Sequence, residues 1–400
     1  MSRSTDPVDW STLEHAYGTA EDTPEQLRAL ADADQDVRHE AFGELLHSLV
    51  HQGTRYQASA HAVPALLDLV TDPEARDRDF IALLVAWIAI GSDEGQLPDG
   101  IRIDRIRSQA EGGAEVLARG RYNRTHAELH AVDAYAALTA WEAVRDGLRS
   151  LRPLLRDEDP GLRTVVAYTL GWFPADAAPD EAAASLAALA ELVTGAESDE
   201  GTVAVAVVAA GLIGADGSAR LATAALDDER ALVRWGAAIA LARLHGPAAD
   251  PRVAAELTHW AGGGTRANHE IPYLEGDVAG YATLALRQLG PEWAQAAFAA
   301  NLSRLPQVDA MEALTVAGEA FRYAFPHGPL PAGVPFDHLD EPARRLVRVL
   351  ADAPASWQYE GVEFGNFSSL VGEYGLPDTQ SLLHRYVYGD RTHGDAPTRA

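Results

Sequence analysis

Three stretches of this chain superpose without a gap, and that register limits the fold more than any other feature. Asp34 to Leu45, Asp159 to Leu170 and Arg230 to Leu241 each follow an acidic turn with an aliphatic residue and an arginine: Val37-Arg38, Leu162-Arg163 and Val233-Arg234. Apolar residues then stand three, four and seven positions beyond the arginine, as Ala41, Phe42 and Leu45, as Val166, Ala167 and Leu170, and as Ala237, Ala238 and Leu241. That spacing is one stripe of a helix, with small side chains where a neighbouring helix has to come close. The arginines lie 125 and 71 residues apart, near three and two units of about forty residues. Degenerate copies are therefore expected at Phe80 to Gly91, Ala127 to Val144, Val203 to Gly214 and Val278 to Gly290. Val37, Leu162 and Val233 should be equivalent and buried.

The rest of the chain agrees with helix. Ala and Leu dominate, and Pro-Gly pairs such as Pro160-Gly161, Gly246-Pro247 and Gly290-Pro291 fall between helical stretches. Val203 to Val208 alternates like a strand, but its small-residue continuation suits a tightly packed helix. A chain of 400 residues is long for one globular core, so an array of repeats is the economical solution. The expected fold is all-α, a right-handed α-α superhelix of stacked antiparallel helix pairs over residues 1–320. An irregular, aromatic-rich cap then spans 321–400. Within that cap, Phe325 to Pro335 reads as loop and Pro342 to Ala351 as helix. Trp357, Tyr359, Phe364, Phe367, Tyr374, Tyr386 and Tyr388 are concentrated where a terminal repeat needs its apolar face covered, and residues 394–400 read as a disordered tail.

The acidic turn, the aliphatic-Arg pair and the Ala-rich second helix resemble HEAT repeats, in particular the short bacterial variety also seen in phycobilin-lyase-type proteins. Tyr56 to Val70 is similar to a recurrent first helix of uncharacterised bacterial HEAT-like proteins. The resemblance covers about residues 25 to 300. It implies an α-solenoid in which Arg38, Arg163 and Arg234 are structural and bind neighbouring turns.

Composition removes several chemistries. No cysteine is present, so disulfides, thiolate catalysis and sulfur-ligated zinc are excluded. All 32 basic residues are Arg, a bias typical of high-GC bacterial coding, which rules out Schiff-base lysines and a phosphate-loop lysine. Acidic residues number 59 and the net charge is −27, which opposes binding to polyanions. Duplex nucleic acid and anionic membranes are therefore not expected partners, whereas a basic protein would be steered inward. No apolar run is long enough for a membrane helix, and the polar amino terminus lacks a signal-peptide core, so the expected location is the cytoplasm.

No phosphate loop, His-Glu-x-x-His motif or nucleophile elbow occurs in a fitting context, so no catalytic residue, metal ligand or cofactor is assigned. Two segments are candidates for binding. Arg119, Arg121 and Arg124, with Tyr122 and His126, form a basic cluster in an acidic chain, suited to carboxylate or phosphate recognition. Internal pairing with Asp and Glu is the competing explanation. The Gly-rich stretch from Gly262 to Asp277 presents His269 and Glu270, and with His259 and Asp277 it holds N and O donors that could bind a metal, but no ligand spacing repeats and an ordinary inter-helix loop is the favoured explanation.

The expected function is a non-enzymatic protein-binding scaffold or inhibitor, of which toxin immunity is one version, that holds a protein partner in the trough of the solenoid. The alternatives are a HEAT-like enzyme of the DNA glycosylase or bilin lyase type, with Trp141, Trp172 and Trp235 lining the trough, and an acidic DNA mimic.

Overall fold

The structure, a computed structural model, describes residues 8–120, 123–195, 199–263, 268, 270–331 and 333–389. Among them are nineteen α-helices, and the strands are confined to three antiparallel pairs of two-residue strands. Val203 to Val208 lies inside the helix Glu200–Ile213, and the other expected copies fall on the helices Arg78–Ile90, His126–Leu151 and Val278–Leu286. No described helix is long and apolar enough to cross a membrane. The chain divides into two compact units, Met1–Leu244 with His269–Tyr273, and His245–Asn268 with Leu274–Ala400.

In the first unit the shared register has one physical basis in all three copies. Asp32, Asp157 and Asp228 each stand six residues before the arginine. The carboxylate of each accepts the N–H two residues on, from Asp34 at 2.8 Å, Asp159 at 3.1 Å and Arg230 at 2.9 Å. This closes an Asx turn at the helix entrance. The arginine then reaches back over the turn it follows. Arg38 Nη1 donates to the carbonyls of Asp32 and Ala33 at 3.1 and 3.2 Å, Arg163 to those of Asp157 and Glu158 at 2.8 and 3.1 Å, and Arg234 to those of Asp228 and Glu229 at 2.9 Å each. Carbonyls in a tight turn have no helical partner, so the guanidinium supplies one. The device also links turns: Arg38 Nε donates to Asp77 at 2.6 Å and Arg78 Nη1 to Asp157 at 2.9 Å.

Helix capping follows the same register. Asp34 and Asp159 accept the N–H groups of Asp36 at 3.0 Å and Gly161 at 2.9 Å. The third copy has Arg230 at that position and cannot cap itself. Glu200, at the start of a different helix, accepts the equivalent N–H of Leu232 at 2.6 Å instead.

Packing explains the small residues. The helix Pro160–Gly171 packs on Arg78–Ile90 and on Glu200–Ile213, whose residues 201–213 are all buried. A helix apolar on every side has to be enclosed on every side. A Cβ on Gly171 would lie 2.9 Å from Ala209 Cα, one on Gly211 2.6 Å from Ala240 Cα, and one on Gly236 2.6 Å from the Ala204 carbonyl oxygen. Backbones thus meet directly at these crossings.

One expected equivalence fails. Leu162 and Val233 are fully buried, but Val37 is 37% exposed. Pro160–Gly171 is held between two long helices, while Gln35–Leu49 packs on Thr23–Ala29, Gln57–Thr71's neighbour Arg78–Ile90, and the adjoining hairpin strand, which leave the side of Val37 uncovered. Trp141, Trp172 and Trp235, the trough residues of the enzyme alternative, are fully buried. Trp141 stacks on Phe173 at 5.1 Å and donates from Nε1 to the Trp172 carbonyl at 3.1 Å, so it serves the core.

In the second unit, the tail aromatics cover the helix Ala310–Ala324. Tyr374 stacks on Phe321 at 4.3 Å, and Trp357 meets Phe367 edge-on at 5.1 Å while donating to the Leu350 carbonyl at 2.9 Å. The tail is more regular than its composition indicates, with helices at Glu341–Asp352, Gly365–Glu373 and Gln380–Tyr388. Tyr359 is an exception to the covering role, being exposed on the hairpin Gln358–Tyr359 with Val362–Glu363. Residues 394–400 lie outside the described residues.

Candidate partner-binding surfaces

A concave surface of the first unit lies between the helices Pro179–Thr194 and Ser218–Ala225. The first helix begins with Pro at its first position and two acids in its first turn, Asp180 and Glu181, a favourable start for a helix. The second has 8 residues against 16. Between them lies a groove of about 750 Å³. Leu186 and Leu221 form its floor and Ala183, Ala187, Ala190 and Ala224 its walls, with Asp216 and Arg220 at the rim. Ala183, Ala187 and Ala190 recur at helical spacing, and a wall of methyl groups admits a second helix at close interaxial distance.

The arginine segment is organised differently. Thr125 caps the helix His126–Leu151, and Glu128 completes a capping box by accepting the Thr125 N–H at 2.8 Å. Arg119 pairs with that same Glu128. The Thr125 N–H first, then the Arg119 guanidinium and the Thr125 hydroxyl, hold the Glu128 carboxyl down to about 2. Arg124 donates from Nε to the Gly120 carbonyl at 3.2 Å and its Nη1 lies 3.9 Å from Glu14. Both described guanidiniums therefore have partners within the chain. His126 is exposed and its ring lies 4.3 Å from that of His130. Arg121 and Tyr122 lie outside the described residues.

Asp277 accepts the Gly280 N–H at 2.8 Å and the Arg304 Nη2 at 2.6 Å, so its carboxylate is committed to a helix cap and a buried ion pair. Glu270 is exposed, close to Gly201 at the start of Glu200–Ile213, and His269 lies outside the described residues. Among the described residues, no group of three or more His, Asp or Glu side chains is placed to hold a metal ion.

Sequence reasoning missed the groove because its lining consists of alanines and leucines, which in linear form read as core.

No protein-family model and no curated protein sequence matches the chain. Solved structures that it resembles in fold include an engineered protein, with 18% identity over 94% of this chain and 90% of that one at a TM-score of 0.30. UNC-45 from Drosophila melanogaster is 13% identical over 92% of this chain at a TM-score of 0.37, and importin beta 12% identical over 92% at 0.25. The chain spans 56% and 59% of those two proteins. Its own geometry, the Asp–Arg device repeated at the entrance of three helices, defines an all-α, helical-repeat protein.

Proposed function

We infer that the chain is a protein-binding scaffold or inhibitor whose partner presents an apolar helix flanked by basic residues. The observation that carries this reading is the alanine-walled groove, whose longer helix runs about 24 Å and so offers several turns of contact. Small molecules are held by convergent polar groups in an enclosed site, whereas this groove is open-ended and its polar groups stand at the rim. The net charge of −27 supplies long-range attraction for a basic partner and repels nucleic acid. Inhibition of a basic toxin by an immunity-type protein is the particular form that best combines groove and charge. The burial of Trp141, Trp172 and Trp235 supports binding over a glycosylase, which would need aromatic rings free to stack on a base.

The test is Ala187→Arg, at an exposed wall position that tolerates a longer side chain. A protein captured by the wild-type chain from its source cells is purified and titrated against both forms. Binding weakened at least tenfold, with unchanged thermal melting, supports the groove. Equal affinity of the two forms refutes it.

A further inference from the structure

His126 opens the helix His126–Leu151 and His130 stands four residues on, so the two side chains share one face. The capping box of Thr125 and Glu128 fixes the backbone of that first turn. The ring centres lie 4.3 Å apart with their planes at 72°. Both residues are exposed, and among the described residues neither ring has a hydrogen-bond partner. Other histidines of the unit are engaged: His15 with Asp22 at 3.0 Å and His51 with the Tyr17 hydroxyl at 3.3 Å. An unengaged imidazole is a ligand for Cu²⁺, Ni²⁺ and Zn²⁺, whereas Mg²⁺ and Ca²⁺ prefer oxygen. A metal–nitrogen bond of about 2.0–2.1 Å sets each ring centre about 3.2 Å from the ion, and two ligands at about 90–110° then hold their ring centres about 4.5–5 Å apart. The two rings already stand close to that separation, so a small rotation brings both onto one ion.

The surroundings admit a cation. Arg119 is paired with Glu128, and Arg124 lies 3.9 Å from Glu14, so both nearby guanidiniums have their charge offset. Asp133 stands three residues beyond His130; burial raises its carboxyl, while His130 and then Arg124 draw it down, so an anion lies beside the pair. The net charge of −27 also concentrates cations at the surface. No third His, Asp or Glu among the described residues completes a ligand set, so a bound ion keeps positions for water or an outside donor. We propose that His126 and His130 form a two-point chelating site for a divalent late transition metal, with Cu²⁺ held most strongly. This site goes beyond the protein-binding reading and shares no residue with the alanine groove.

The test titrates the full chain, without an affinity tag and stripped with EDTA, with NiCl₂ by calorimetry at pH 7.5 and physiological salt. His126→Ala and His130→Ala are each expected to weaken the strongest site at least tenfold, because a lone imidazole loses the gain of chelation. The corresponding Gln variants, which keep the side-chain length, should behave alike. Melting curves in EDTA should match the wild type for all four, since both positions are exposed. His61→Ala removes an exposed histidine that is alone on the helix Gln57–Thr71 and should leave the affinity unchanged. With one equivalent of CuCl₂, electron paramagnetic resonance should show coupling to two ring nitrogens in the wild type and to one in each single variant. Ala187→Arg should keep the metal site, so its failure and that of the groove are distinguishable. Wild-type affinity in either histidine variant would overturn the proposal, because a single imidazole would then suffice. Equal binding of MgCl₂ and NiCl₂ would overturn it too, by assigning the ions to the acidic surface at large.

Discussion

Replacing Arg304 with Met tests how the second unit tolerates its buried charge. Arg304 is fully buried and donates to Asp277 at 2.6 and 3.4 Å, with Glu312 at 3.6 Å; its Nε has no acceptor. Burial first, and Asp277 second, already push the Glu312 carboxyl above its ordinary range. Met fills much of the volume but leaves two carboxylates facing each other without a cation. Removing one member of a buried pair costs about 3–5 kcal/mol, because the remaining charge has lost both water and partner. The hydrogen exchange of Val278–Leu286 and Ala294–Arg304 should therefore accelerate by about two to four orders of magnitude, as measured by mass spectrometry. Adding Asp277→Asn should restore most of the protection, since the amide oxygen can still accept the Gly280 N–H that starts the Val278–Leu286 helix. A loss below about 1 kcal/mol, or a double variant no better protected than the single one, would refute the reasoning.

Gly211→Ala places a methyl group 2.6 Å from Ala240 Cα, and the strain should cost about 1–3 kcal/mol, read as a lowered melting temperature with the helix content retained. The Glu128 cap has a defined pH window: its carboxyl is held at about 2 in the folded chain against an ordinary 4.5, so its contribution is complete above the ordinary value and is lost as pH falls toward 2. Amide exchange at the first turn of His126–Leu151 should accelerate over that range in the wild type, and Glu128→Gln should show the accelerated rate throughout. Arg124→Gln removes the bond to Gly120 and the pair with Glu14, so it should lower the melting temperature while partner capture persists. Arg121→Gln made alongside it, if it abolished capture without further destabilisation, would place the arginine segment on the interface. Duplex DNA should show no sub-micromolar binding by fluorescence anisotropy at physiological salt, and tight binding that weakens steeply with salt would contradict the charge argument.

The helical class and the repeat register were legible in the sequence because they depend on local spacing. An arginine six residues after an aspartate can close its turn without help from the rest of the chain, and Arg38, Arg163 and Arg234 make the same carbonyl bonds. The close helix crossings fall instead at Gly171, Gly211 and Gly236, outside the positions three, four and seven beyond each arginine. What surrounds each helix was decided only in three dimensions. Val37 and Val233 hold the same register, yet one is 37% exposed and the other is enclosed, because exposure depends on whether another element lies beside the helix. The same holds for the candidate sites. For Arg119 and Arg124 the choice between binding and internal pairing stayed open until Glu128, Gly120 and Glu14 were placed beside them, and the enzyme alternative's use of Trp141 stayed open until Phe173 and the Trp172 carbonyl enclosed it. An ordinary run of alanines became a groove wall because Pro179–Thr194 and Ser218–Ala225 lie on either side of one cleft. Hydrogen bonds between near neighbours are written in the chain, whereas burial and accessibility belong to contacts between residues far apart in it.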